Sequence, residues 1–463
     1  MKNKLATYYQ LFLSIVLLLG TQAMFSCKSA GEKAEAQPTK PNIIYILADD
    51  MGVHDLGCYG QQLIKTPYLD QMSSEGMLFT QHYAGSTVCA PSRGTLMTGL
   101  HTGHGYVKGN FAMPEEGNLP LPAEAITIAE MLKEAGYTTG IIGKWGLGGP
   151  HDEGHPNEQG FDYSFCYLDQ RLAHEYYPDH LWRNFDKVML NGEYSHDLFA
   201  EESLDFIRKN RDEPFFLYLP FTIPHGKFQV PDDAPYSETG WTQNQKNYAA
   251  MITRMDKDVG RIFSLLDSLD LDENTIVFFA SDNGGVKGMS DFFGSNGSLR
   301  GYKTDCYEGG IRSPLIVRWP GKIAPGSVSD HVSAFWDMMP TLGELAQTSV
   351  PENTDGISLL PELLGQTQPA HESLVWEYFD YNYGWKPGSE KERNYLQSEA
   401  VRMGDWKGVR NNINQNPAAP IELFNLSTDP GEQNNVAEEN PGIVNRIQEI
   451  LDKECVDSEY FKK

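Results

Sequence analysis

Positive charge is scarce in this chain: 37 Lys and Arg stand against 63 Asp and Glu, a net charge of −26 over 463 residues. Nucleic acids and anionic membrane surfaces are bound through basic patches, so both are excluded as partners, and a long, densely charged polyanion is disfavoured as a ligand. Cysteine is scarce as well, six in all. Beyond Cys27 and Cys89, discussed below, Cys58, Cys166, Cys306 and Cys455 are too scattered for a disulfide framework and are expected as singly buried thiols. Internal repeats are absent, which excludes a solenoid. The apolar segment 11–19 falls short of the roughly 20 residues that span a bilayer as a helix.

That segment has another use. Lys2 and Lys4 precede it and Met24-Phe25-Ser26-Cys27 follows, the form of an export signal. A small residue before Cys27 matches a bacterial lipoprotein processing site, with Met24 a weaker fit than the usual Leu. The expectation is a signal peptide over 1–26, lipidation of Cys27 ahead of plain secretion, and a polar tether over 27–40. The mature protein is then exported, periplasmic or held at the cell surface of a bacterium, touching membrane only through its lipid.

From residue 41 onward, strand and helix patterns alternate. Apolar runs at 42–48, 137–142, 214–220, 274–280 and 314–319 have strand length, and amphipathic helices are expected at 126–136, 195–210 and 248–269. Met251, Met255, Ile262 and Leu266 on the last of these are read as core. Alternation implies an α/β fold, a mostly parallel sheet covered by helices on both faces, over 41–365. Beyond it, strands at 373–380, 400–409 and 421–426, closed by a helix at 442–454, indicate a smaller α+β subdomain with an antiparallel sheet over 366–463.

Three sequence features carry chemistry. Asp49-Asp50 ends the 42–48 strand and Asp282-Asn283 follows the 274–280 strand, so two carboxyl ends of one parallel sheet present oxygen ligands together. Three carboxylates and an amide oxygen suit Ca²⁺ or Mg²⁺ rather than zinc. The third is Cys89-Ala90-Pro91-Ser92-Arg93, a C-x-P-S-R motif opening a helix that stops at Gly99. It resembles the site at which type I sulfatases, of the alkaline phosphatase superfamily, have their cysteine oxidised to formylglycine. The resemblance continues through 41–52, 66–76, 89–99, 143–148, 301–314 and 400–409.

The resemblance implies a sulfuric ester hydrolase. Its nucleophile is hydrated formylglycine made from Cys89 by a separate maturase, and one Ca²⁺ is held by Asp49, Asp50, Asp282, Asn283 and the modified Cys89. Arg93, Lys144, His225 and Lys303 match sulfate-binding positions, with His225 or Lys303 protonating the leaving oxygen. One departure stands out: the family's G-K-W-H is G-K-W-G here, with Gly146 in place of a histidine, and His101, His104, His151 and His155 are candidate substitutes. The substrate is expected to be a sulfated mono- or oligosaccharide of host or algal origin.

Sugar specificity is expected in an irregular insert, 148–186, where His174, Gln170, Arg171 and Tyr177 are candidate substrate contacts beside Tyr176, Trp182 and His180. The alternative is that Tyr176 and Tyr177 pack the insert down. Its histidines show no helical H-x-x-x-H motif with a carboxylate, which argues against zinc. Asn296 and Arg300 form a second candidate rim. Two rival functions remain at this point: a phosphatase or phosphonate hydrolase of the same superfamily, and an inactive sugar-binding surface lipoprotein.

Overall fold

The Asn42–Ala48 strand is buried at all seven positions because it runs between two parallel neighbours, Phe215–Pro220 and Thr275–Ser281. In the computed structural model, which describes residues 40–113, 115–380, 395–458 and 460–462, it is the middle of a ten-stranded sheet. The export signal and tether, except Lys40, lie outside the described residues. The sheet order is Ser327–Ser329, Met77–Phe79, Leu315–Arg318, Thr275–Ser281, Asn42–Ala48, Phe215–Pro220, Thr138–Lys144, Tyr163–Tyr167, His180–Arg183, Asp186–Met189. The five strands from Thr275–Ser281 to Tyr163–Tyr167 are mutually parallel, and antiparallel strands flank them on both sides.

Successive side chains of a strand point to opposite faces. Ile43, Tyr45 and Leu47 enter one core with the helices Cys89–Thr98, Ile128–Glu134 and Met338–Ala346, and Ile44, Ile46 and Ala48 enter the other. There the Gln243–Ser268 helix contributes Met251, Met255, Ile262 and Leu266, all buried. This helix begins five residues before the expected start. Thr242 Oγ1 accepts from Gln245 N, and Gln245 caps Thr242 in return, a T-x-x-Q signature visible in the sequence.

A separate four-stranded antiparallel sheet follows: Leu374–Asp380, Tyr395–Met403, Trp406–Asn411 and Glu422–Asn425. The single strand expected at 400–409 is in fact two, because Gly404 at φ 58° turns the chain into a hairpin. One face of this sheet packs under the Pro441–Glu454 helix through Val375, Val401, Leu423, Ile447 and Leu451. The other sets Trp376, Ala400 and Phe424 against Tyr83, Val88 and Trp336, and Trp376 Nε1 donates to Ala84 O at 3.0 Å. It thus braces the segment that leads into Cys89, and the described residues from Lys40 onward form one compact unit. The 148–186 insert is also more regular than expected. Tyr163–Tyr167 and the hairpin His180–Arg183/Asp186–Met189, turning at Asn184 with φ 51°, extend the main sheet. Of the five cysteines described, Cys58 is half-buried and Cys89, Cys166, Cys306 and Cys455 are buried.

Candidate active site

Four adjacent parallel strands deliver the site, each at its carboxyl end, the edge at which open α/β sheets bind ligands. Asp282 and Asn283 follow Thr275–Ser281, Asp49 and Asp50 follow Asn42–Ala48, His225 follows Phe215–Pro220, and Lys144 ends Thr138–Lys144. Asp49 N donates to Ile223 O at 2.9 Å and Asp282 N to Ala48 O at 3.1 Å, so ladder-like pairing continues past the strands and fixes both carboxylates. Asp50 takes φ 65°, a left-handed conformation Asp tolerates better than most, while its N donates to Asp282 Oδ1 at 3.1 Å.

Cys89 opens the Cys89–Thr98 helix, which ends at Gly99 with φ 69° as the sequence indicates. Its Sγ lies 3.3 Å from Asp49 Oδ1 and 3.7 Å from Lys303 Nζ. One turn later, Arg93 donates to Asp282 Oδ2 from Nε and Nη2 at 3.1 and 2.7 Å and to Lys144 O at 2.8 Å. Lys144 Nζ meets Asp49 Oδ2 at 2.6 Å. Lys303 Nζ meets both Asp50 oxygens at 2.7 and 2.8 Å and lies 3.2 Å from His225 Nε2. The acids, Cys89, Arg93, Lys144 and Asn283 are at most 1 % exposed, and only Lys303 and His225 reach the surface. Thr304, a β-branched residue at φ 80°, has its N bonded to Thr87 O at 3.0 Å, which ties the Lys303 loop to the approach to Cys89.

Burial and neighbouring charge set the protonation of the cluster. Burial opposes ionisation of Asp49, yet Lys144, His225, Arg93 and Lys303 hold its carboxyl well below the usual range. Asp50 is likewise lowered, burial being outweighed by Lys303 and His225. Asp282 goes the other way: burial, with Asp49 nearby, pushes it up to about 6. Burial and then Asp49 push the Cys89 thiol far up, so the unmodified side chain is a poor thiolate nucleophile. Burial and Lys303 lower His225.

The donor set fits a hard cation. Asn283 Nδ2 donates to Asp50 Oδ1 and Gly284 O, both at 2.9 Å, while its Oδ1 is buried without a hydrogen-bond partner. An orphaned amide oxygen among three carboxylates is an acceptor that Ca²⁺ would satisfy. Ligand atoms of Asp49, Asp50, Cys89 and His225 lie within 4.8 Å of one another.

The expected substrate contacts divide. His174 ends the Leu172–His174 turn and stacks on His225, centroids 4.0 Å apart and planes 13° apart; burial, then His225, push it down to about 3. That places it beside the Lys303–His225 pair rather than on an outer sugar wall. Gln170 lies over Gly146. Arg171 is spent on Asp169 and the carbonyls of Met113 and Glu115. Tyr177 is exposed, packing on Tyr194. Asn296 braces the loop of Lys303, accepting from Gly285 N and donating to Gly301 O. Arg300 turns to the C-terminal sheet, stacking on Tyr307 at 3.8 Å and donating to Glu422 and Glu432 O. Of the insert aromatics, Tyr176 and Trp182 are buried: Tyr176 donates to Thr222 O and His225 O and so holds the His225 backbone.

None of the four proposed substitutes for the Gly146 histidine joins the cluster. His101 and His104 pair with Asp355, His155 stacks on Phe185, and His151 meets Trp182 edge-on. Sequence reasoning missed Asn110, whose Oδ1 accepts from Ala90 N at 2.9 Å and so caps the Cys89 helix from 20 residues away, with no local signal.

Comparison with known proteins identifies the family. A family model described as Sulfatase matches residues 41–348, and one described as N-sulphoglucosamine sulphohydrolase, C-terminal, matches 302–459. The chain is 31% identical to the N-acetylgalactosamine-6-O-sulfatase of Bacteroides thetaiotaomicron over 94% of its length and 97% of that protein's. It is 34% identical to the N-acetylgalactosamine-6-sulfatase of Canis lupus familiaris, over 89% and 85%. Among solved structures, Ps i-CgsB in complex with k-i-k-neocarrahexaose superposes with a TM-score of 0.78 at 29% identity, covering 92% of this chain and 95% of that one.

Proposed function

This chain belongs to the sulfatase family and is a sulfuric ester hydrolase, and from that premise we propose that it removes an O-sulfate from a sugar with formylglycine at position 89 and one Ca²⁺. The observation that carries the reading is the meeting, at one sheet edge, of Cys89 with Asp49 at 3.3 Å and Lys303 at 3.7 Å. Formylglycine at position 89, once hydrated, would supply a hydroxyl nucleophile, and Asp49, Asp50, Asp282 and Asn283 would hold a cation that offsets charge on the sulfate oxygens.

The protein's own groups do the rest. Arg93, Lys144 and Lys303 are cations in a largely buried site, aimed by the carboxylates they contact, and they stabilise charge building at sulfur. His225 Nε2 and Lys303 Nζ, 3.2 Å apart and both beside Asp50, hold between them the proton for the leaving sugar oxygen. Two relatives act by name on N-acetylgalactosamine 6-sulfate, the substrate we assign first, as part of a host or algal glycan. Export as a lipoprotein, through Cys27, follows from the N-terminal sequence.

The test is a peptide mass across Cys89 from protein co-expressed with a maturase, combined with sulfate release from 6-O-, 4-O- and 3-O-sulfated N-acetylgalactosamine. The expected result is the formylglycine mass and release from the 6-O ester. An unmodified cysteine with no turnover would return the sugar-binding lipoprotein, and faster release of phosphate from a phosphate ester would return the phosphatase.

A further inference from the structure

Gly146 follows Lys144 and Trp145 with φ 78°, and a Cβ placed there would lie 2.7 Å from Gln170 Nε2 and 2.8 Å from Gln170 Cγ. The Gln170 side chain therefore fills the space above the backbone just beyond Lys144. Its main chain is fixed without help from the carboxamide. Gln170 N donates to Asn118 Oδ1 at 2.9 Å, and Asn118 Nδ2 to Phe111 O at 3.2 Å. Asp169 accepts from Gly117 N at 3.3 Å. The loop that holds Gln170 also contains Asn110, the cap of the Cys89 helix, and four residues beyond Gln170 His174 stacks on His225.

The carboxamide thus sits over Gly146, two residues after Lys144 in the chain, on a braced loop four residues before His174, yet its Nε2 is unused. Gln170 is 5 % exposed, and its Nε2 is buried with no hydrogen-bond partner. Buried donors are nearly always paired, so this one calls for an acceptor from outside the chain. A primary amide offers both a donor and an acceptor. Sulfate oxygens only accept, whereas a sugar hydroxyl does both and matches the amide.

We propose that the Gln170 carboxamide reads the sugar hydroxyl nearest the sulfate ester, which makes it a specificity-determining residue. This rests on the sulfated-sugar reading above and adds the group that recognises the sugar. In a 6-O-sulfated pyranose C5 carries the ring oxygen, so the nearest hydroxyl is O4.

The experiment compares kcat/KM for N-acetylgalactosamine 6-sulfate and its 4-deoxy analogue, in matured wild type, Gln170→Ala and Gln170→Glu. The ratio of two substrates on one preparation is independent of how much of it folds or matures. The wild type is expected to prefer the hydroxylated sugar by about tenfold or more, and the preference to collapse toward one in Gln170→Ala and to shrink in Gln170→Glu, which keeps the shape and loses the donor. A wild-type ratio near one overturns the proposal, as does a ratio that Gln170→Ala leaves intact, or complete loss of both reactions in both variants, which would put the amide at the reacting centre. A wild type that releases sulfate from neither sugar overturns the substrate reading itself, and this inference with it.

Discussion

Glu308 and Glu432, with Lys407, Arg312 and Arg402, form a second charge cluster almost as buried as the one around Asp49. Lys407 Nζ lies 2.8 Å from Glu308 and 2.9 Å from Glu432, and Glu308 N donates to Glu432 Oε2 at 2.7 Å. The electrostatics of the two regions run in parallel. Each has carboxyls held low by cations despite burial, Asp49 and Asp50 in one and Glu308 in the other, and each has one raised by burial, Asp282 to about 6 and Glu432 to about 7. Perturbed carboxyls alone therefore do not mark a site. Position and chemistry do. The first cluster ends four parallel strands and adds Cys89 at a helix start, two imidazoles and an orphaned amide oxygen, while the second joins the Glu308–Ile311 helix to the C-terminal sheet.

The largest expected effect breaks the comparison at its centre. Cys89→Ala should lose about 10⁴-fold or more of its sulfate release while its melting temperature stays near that of the wild type. Lys407→Met should do the reverse, costing about 3–5 kcal/mol of stability by leaving Glu308 and Glu432 without their lysine, with turnover per folded molecule retained. Activity and thermal melts on both variants decide this, and turnover by Cys89→Ala would remove the nucleophile assignment.

Next comes the cation. Chelation should abolish turnover reversibly, with Ca²⁺ restoring it better than Zn²⁺ because the protein ligands are oxygens. Asp282→Ala should not be rescued by either, since it removes a ligand and the anchor of Arg93 together. Preferential recovery with zinc would contradict the ligand set.

A smaller effect tests where the first cluster ends. His174→Ala removes the ring stacked on His225, so we expect kcat/KM to fall by the same factor, about tenfold to a hundredfold, for a sulfated sugar and for a small aryl sulfate. A loss confined to the sugar would move His174 out of the sulfate pocket and back to the outer wall.

What the sequence could tell follows the same division. Asp49, Asp50, Asp282 and Cys89 were legible because each sits directly after a buried run or at a helix start, a local signal that survives without tertiary information. The sheet's centre was legible for the same reason, its strands being apolar throughout. The hairpin at 180–189 was not, since only His180–Trp182 are buried in it and Asp186 to Met189 are half-buried or exposed. His174 on His225, Arg300 turned to Glu422, and Asn110 on the Cys89 helix are contacts between residues 20 to 122 positions apart, and no spacing encodes them.

The smallest effect asks whether the second cluster is as ionised as the first. Burial, reinforced by Glu308 and opposed by Lys407, lifts Glu432 from its ordinary 4.5 to about 7. Between those values the unfolded chain has released this proton and the folded chain still holds it, so folding binds up to one proton there. The sign follows from linkage: a group that keeps more protons when folded makes stability fall as pH rises. The contribution of Glu432 is therefore complete below pH 4.5 and lost as pH climbs through about 7. Glu432→Gln has nothing to titrate, so the melting temperature of the wild type, measured relative to that variant, should decline across this window by an amount equivalent to at most one proton. A difference that stays flat from pH 4.5 to 7 would mean that Glu432 is ionised throughout, paired with Lys407 as Asp49 is with Lys144, and the two clusters would then differ only in what lies at their edges.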